Sequence, residues 1–170
     1  MKAIIGLGNP EERFANTRHN VGFRAVGILA QKLGLQFESS PKLFSAVAKS
    51  SEWLLVKPQT YMNESGKAVQ VVLNFYKLAP SDIVVVHDDL DLPFGTWKKQ
   101  FATGPKIHHG LLSIYESLGT KDFMHLRIGI DNRDGDKTLP GKDYVLQPFA
   151  DQEETQIRTV IEEVAQYLLK

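Results

Sequence analysis

Apolar positions along the 170-residue chain fall into short continuous runs and longer stretches with helical spacing. Lys2 to Leu7 is a β-branched apolar run interrupted by Gly6, which predicts a buried strand leading into a loop. Val26, Leu29, Ala30 and Leu33 then recur at helical spacing, so a helix is predicted over 21–33 with Gly34 as its stop. Phe44 to Lys49 and Trp53 to Lys57 read as two strands joined at Ser50-Ser51-Glu52, a hairpin closed by Pro58, which has no N–H to donate. Ala68, Val71, Val72 and Phe75 mark a second helix that begins near Asn63, its expected N-cap, and ends before Pro80. Ile83 to Val86 is continuously apolar and therefore expected mid-sheet, with "HDDLDLPFG" emerging from its end. Further on, 96–101 and 125–130 read as strands, 110–118 as a short helix, and 151–170 as an amphipathic helix with an acidic start. The alternation predicts one α/β domain with helices on both faces of a mixed sheet.

Composition narrows the possible partners. Twenty basic and twenty acidic side chains cancel, so nucleic-acid affinity must come from a local patch. Without cysteine there is no disulfide, thiolate metal site or cysteine nucleophile. The opening apolar run is too short for a signal peptide, and no stretch approaches the about 20 apolar residues of a membrane span. A cytoplasmic protein with no membrane association is expected.

The familiar nucleotide and hydrolase motifs fail on inspection. Gly6 and Gly8 begin a dinucleotide fingerprint, but Glu11 stands where the third glycine belongs and would repel phosphate. Gly66-Lys67 lacks the preceding glycine of a Walker loop, and "NESGK" around Ser65 is not a nucleophile elbow. His87, Asp88, His108, His109 and His125 show no helical metal-ligand spacing, so no metal and no cofactor are expected. What remains is a set of polar residues at element ends: Asn9 after the first strand, His19 before the first helix, Asn63 at the second helix start and Asp88 after a central strand. In an open α/β sheet such ends converge on a crevice. Histidine can take a proton from water, a carboxylate can fix its tautomer, and amides can bind a carbonyl or developing oxyanion. Together they suit ester or amide hydrolysis without a covalent intermediate. Taken singly, each has a plainer reading: a turn at Asn9-Pro10, a helix cap at Asn63, a solvated histidine beside Arg18, one of several solvated carboxylates in "HDDLD".

In order and spacing, "GLGNP", "TRHNVGF", "KPQTYMNESGKAV", "HDDLDLPFG" and "LRIGI" resemble the bacterial peptidyl-tRNA hydrolase family from Lys2 to about Pro148. The resemblance implies a single globular domain, a twisted mixed β-sheet flanked by α-helices, that cleaves the ester joining a peptide to the terminal ribose of tRNA. By the same resemblance His19 is the water-activating base, Asp88 orients it, and Asn9 and Asn63 bind the peptide part. Phe14 stands where the family commonly has tyrosine, keeping a ring but not its hydroxyl. In "FATGPKIHHGLLSI", His109 replaces an asparagine near the catalytic water, and Pro105 and Lys106 replace small residues of a glycine-rich loop, which should stiffen the rim. Lys98 and Arg127 lie where the family has basic residues for tRNA, and Lys99, Lys106 and Arg133 are further candidates for phosphate contact. Peptidyl-tRNA is the expected partner of a monomer needing no obligate protein partner. The rivals are a non-catalytic RNA-binding relative and a hydrolase of another small acyl substrate.

Overall fold

The computed structural model describes residues 1–136 and 138–170. The opening run forms β1 (Lys2–Gly6), and α1 (Val21–Leu33) follows it, closed by Gly34 in the left-handed conformation at φ 67°. A Cβ on Gly6 would stand 2.3 Å from the Gly22 carbonyl oxygen, and one on Gly22 would stand 2.3 Å from that of Val86. Neither position has room for a side chain, so α1 lies directly on the sheet with its N-terminus over the strand ends. The opening glycines thus permit backbone packing rather than the cradling of a phosphate.

β2 (Glu38–Ser40), β3 (Ser45–Lys49) and β4 (Trp53–Pro58) form an antiparallel meander that contains the expected hairpin. β2 carries no apolar signal, which is why the residue pattern does not predict it. α2 runs over Ser65–Tyr76, after a 3-10 turn at Met62–Glu64. Asn63 therefore lies inside that turn, exposed, and is not the N-cap of α2. The segment starts winding early because Asn9 takes the Met62 amide and the Ser65 hydroxyl donates to the Met62 carbonyl at 2.8 Å.

The central strand also departs from expectation. β5 spans Ile83–Pro93, so "HDDLDLP" stays in the sheet instead of leaving it as a loop. It pairs in parallel with β1 and with β7 (Met124–Asp131), with a register shift between Asp89 and Pro93. Asp88 and Asp89 remain in the strand because each has buried hydrogen-bond donors, described below, while Asp91 is exposed. β6 (Trp97–Phe101) closes the far edge antiparallel to β7, giving a 7-stranded sheet in the order β2-β3-β4-β1-β5-β7-β6.

The remaining helices are α3 (His109–Leu118), the short α4 (Gly141–Tyr144) and α5 (Asp151–Leu168). α1 and α5 cover one face, over a core that includes Ile4, Leu55, Val86 and Ile128; α2 and α3 cover the other, over Ile5, Val56, Val85 and Phe123. Adjacent residues of each strand serve opposite cores, so strands buried on both sides read as unbroken apolar runs. Among the described residues no helix is long and apolar enough to cross a membrane.

Candidate active site

The site forms where the end of β1, the entry to α1 and the C-terminal half of β5 meet. Asn9 is fastened by Asn20: its amide donates to Asn20 Oδ1 at 2.9 Å, and its carbonyl accepts from Asn20 Nδ2 at 2.9 Å. Its own Oδ1 accepts from the Met62 amide at 2.9 Å, which ties the approach to α2 to the end of β1. This leaves the Asn9 side-chain NH2 as the group free to donate to a ligand.

His19 is fixed from behind. Its amide donates to the Val145 carbonyl at 2.8 Å, and that of Arg18 to Gln147 at 3.0 Å. The Arg18 guanidinium is buried, donates to Glu153 at 2.8 Å and to the Pro148 carbonyl at 2.7 Å, and lies 4.1 Å from the Tyr144 ring centroid. The segment carrying His19 is thus clamped to α5 and the loop before it. Asn20, Arg18 and Glu153 are supports that the residue pattern does not reveal, since an internal ion pair 135 positions apart has no local signature.

At the centre, His19 Nδ1 lies 2.8 Å from Asp88 Oδ2, and His108 Nε2 lies 2.8 Å from Asp88 Oδ1. An ionised carboxylate only accepts, so both facing nitrogens carry protons. His108 Nδ1 accepts from the Leu111 amide at 3.2 Å, capping α3 and fixing His108 as the neutral Nε2–H form. His19, protonated on Nδ1, presents Nε2 as a base. Burial opposes ionisation of Asp88, but the electrostatic pull and hydrogen bonds of the His19 and His108 N–H groups outweigh it and hold the carboxyl well below the usual carboxylate range. The potential ligand atoms of His19, Asp88 and His108 all lie within 4.8 Å of one another, a set able to hold a metal ion. As they stand, N–H donors occupy both carboxylate oxygens, so hydrogen bonding satisfies the cluster. His108 is the participant that sequence reasoning missed; histidine just ahead of a helix start, where a cap belongs, is the signal that points to it.

The other expected site residues lie outside this cluster. Among the described residues, no hydrogen bond or ring contact joins Phe14, Asn63 or His109 to His19, Asp88 or His108. Phe14 is half-buried with the Arg13 guanidinium 4.5 Å from its ring centroid, and His109 is exposed on the first turn of α3. Arg127 is not an open cation: its Nε donates to buried Asp89 at 2.6 Å, and a second nitrogen donates to Gln100. Arg133 likewise pairs with Asp131 at 2.8 Å. Lys98 and Lys99 are neighbours on β6 and so face opposite ways; Lys99 turns toward Tyr167 of α5. Lys98 and Lys106 are exposed, and the Lys106 amide donates to Asp91 at 2.7 Å, pinning the loop beside a cavity of ≈ 200 Å³ whose lining includes His108, Tyr115 and Lys121.

The family model described as peptidyl-tRNA hydrolase matches residues 3–170. The chain belongs to the peptidyl-tRNA hydrolase family. A peptidyl-tRNA hydrolase of Mycobacterium sp. (strain KMS) is 40% identical over 166 residues, covering 95% of this chain and 85% of the relative. One from Chloroflexus aggregans is 42% identical over 169 residues, covering 97% and 89%. The crystal structure of peptidyl-tRNA hydrolase from Acinetobacter baumannii superposes with a TM-score of 0.87 at 34% identity, over 98% of this chain and 85% of that one. The peptidyl-tRNA hydrolase fold thus extends through α5, beyond the Pro148 limit of the motif blocks.

Behind Asp88, His87 and His125 are fully buried and lie 2.9 Å apart, Nε2 to Nδ1. Burial lowers the pKa of both; for His125, with Arg127 and His108 adding to it, the value falls to about 4 from 6.5. Between those values the unfolded chain binds protons that the folded one refuses, so this contribution is complete above pH 6.5 and is lost as pH falls toward 4. Asp88 keeps its charge throughout that window. Urea unfolding at pH 7 and pH 4 is therefore expected to differ by about 3 kcal/mol from His125 alone; equal stability at the two values would contradict burial of neutral rings.

Proposed function

We propose that the protein hydrolyses the ester between a peptide and the terminal ribose of tRNA, with His19 as general base. The observation that carries this reading is the contact of His19 Nδ1 with Asp88: the carboxylate holds the proton on Nδ1, which leaves Nε2 as the unprotonated nitrogen. In this reading His19 Nε2 takes a proton from water as the oxygen attacks the ester carbonyl, and ionised Asp88 stabilises the imidazolium. The Asn9 NH2 donates to the substrate carbonyl and strengthens that bond as negative charge builds on its oxygen. Collapse of the tetrahedral intermediate breaks the bond to the ribose oxygen, which leaves with the proton held by His19. Asn63, Phe14 and His109 line the approach for the peptide and the tRNA end. Family membership supports the substrate class, and the protein works in this reading as a cytoplasmic monomer.

Release of labelled peptide from peptidyl-tRNA by the wild type, and its loss in His19→Ala, tests the proposal. Retained tRNA binding without release would instead favour a non-catalytic relative. Cleavage of simple esters with no tRNA affinity would favour another acyl substrate.

For tRNA, Lys98 and Lys106 are the candidates retained: Lys99 is exposed too but turns toward Tyr167, and Arg127 supports the site through Asp89. The double charge reversal Lys98→Glu and Lys106→Glu is expected to raise KM by about tenfold or more at low salt and to flatten its dependence on salt concentration, because fewer counterions are released on binding. kcat should stay near wild type. An unchanged KM and salt slope would remove both lysines from the tRNA interface.

A further inference from the structure

We propose that His125 is a positioning residue for the hydrolysis, acting through His87 to hold Asp88 and His108 in place. The proposal rests on the hydrolytic reading of the site and adds a layer behind it. His87 Nδ1 lies 2.8 Å from the backbone carbonyl of Asp88, and His87 Nε2 lies 2.9 Å from His125 Nδ1. His125 Nε2 in turn meets the Tyr115 hydroxyl at 3.4 Å. Both rings are 0% exposed.

The chain has one direction. A carbonyl can only accept, so His87 carries its proton on Nδ1 and, being neutral, accepts at Nε2. His125 must therefore donate from Nδ1, which leaves its Nε2 to accept from Tyr115. Burial favours the neutral form of both rings, consistent with their depressed pKa values. Two buried rings in the same Nδ1–H state, linked to each other, form a specific arrangement, and a half-satisfied version would be costly.

The position of this chain shows what it acts on. His87 grips the Asp88 peptide just ahead of the register shift between Asp89 and Pro93, where the sheet ladder holds β5 less regularly. Its ring also meets that of His108 at 5.5 Å and 69°, so one side chain braces both the carboxylate's backbone and the second imidazole on that carboxylate. His125 is held in turn by the stacked Phe123 ring at 4.6 Å. The direction of the Asp88 carboxylate, and through it the ring of His19, depends on this buttress. Tyr115 contributes least, because a 3.4 Å contact is long for a hydroxyl donor.

Two amides of different length test the role. Asparagine at 125 places its NH2 near the position of Nδ1 and can still donate to His87, whereas glutamine places it near Nε2 and cannot. His125→Gln is expected to lower kcat about tenfold with KM within about twofold, the size of one lost buried hydrogen bond. His125→Asn should stay within about threefold of wild type. Nitrogen-15 spectra of the wild-type imidazoles should show His87 and His125 protonated on Nδ1 and His108 on Nε2. Equal kcat for the glutamine variant and wild type, equal losses in both variants, or an Nε2–H form at His87 or His125 would each overturn the proposal. If a variant fails to fold, the wild-type tautomers still decide. No peptide release by the wild type would defeat the hydrolytic reading itself, and the positioning role with it; normal release with unaltered variants would defeat the positioning role alone.

Discussion

Replacing His19 with alanine is expected to lower kcat by about 10²- to 10⁴-fold, the range that a positioned general base contributes. Of the two imidazoles on Asp88 among the described residues, His19 is the one with a nitrogen left for water, because His108 spends Nδ1 on the Leu111 amide and Nε2 on Asp88. His108 therefore cannot substitute as the base without abandoning its helix cap. KM should change little, since substrate contacts assigned to Asn9, Asn63 and the lysines remain. Single-turnover release of labelled peptide, with circular dichroism as the folding control, measures the effect. A loss smaller than about tenfold would mean that another group activates the water.

Asp88→Asn should be nearly as damaging, about 10²- to 10⁴-fold in kcat, although it is almost isosteric. The carboxylate accepts two N–H donors, one on each oxygen, while an amide offers one acceptor and one donor. His108 keeps its Nε2–H form because Leu111 holds its other nitrogen, so the amide oxygen turns to His108. The amide NH2 then faces His19 Nδ1 and drives the His19 proton to Nε2, removing the base from the crevice. Imidazole nitrogen-15 shifts should report that tautomer change directly. Retained activity, or a His19 still protonated on Nδ1, would refute this account of the carboxylate.

Much of the fold was legible from residue spacing because strands buried on both faces and amphipathic helices leave strong periodic signals. β1, the β3–β4 hairpin, α1 and α5 emerge within a residue or two of expectation. β2 did not, being polar and held only at an edge, and β5 was cut short because aspartates normally leave a central strand. Within the site, Asn9, His19 and Asp88 could be picked out as polar residues at element ends; the structure pairs His19 with Asp88 and fastens Asn9 to Asn20, the residue after His19. Arg127 misleads in sequence: a cation on a strand reads as a nucleic-acid contact until its buried carboxylate partner is seen. Lys98 and Lys99 likewise read as one patch, which the pleat divides between two faces.

The sequence by itself determined the order of the main elements apart from β2 and α4, the two-faced core, the absence of thiol chemistry and, through several motif blocks in register, the family. Only the tertiary structure decided which nitrogen of His19 is free, that His108 shares Asp88, and that His87 and His125 stand behind them. The physical reason is range. Periodicity records how each residue meets its own helix or strand, whereas the hydrogen-bonded cluster joins donors and acceptors from the α1 entry, β5, the α3 cap and β7. Their pairing depends on distances of a few tenths of an ångström that no spacing along the chain encodes.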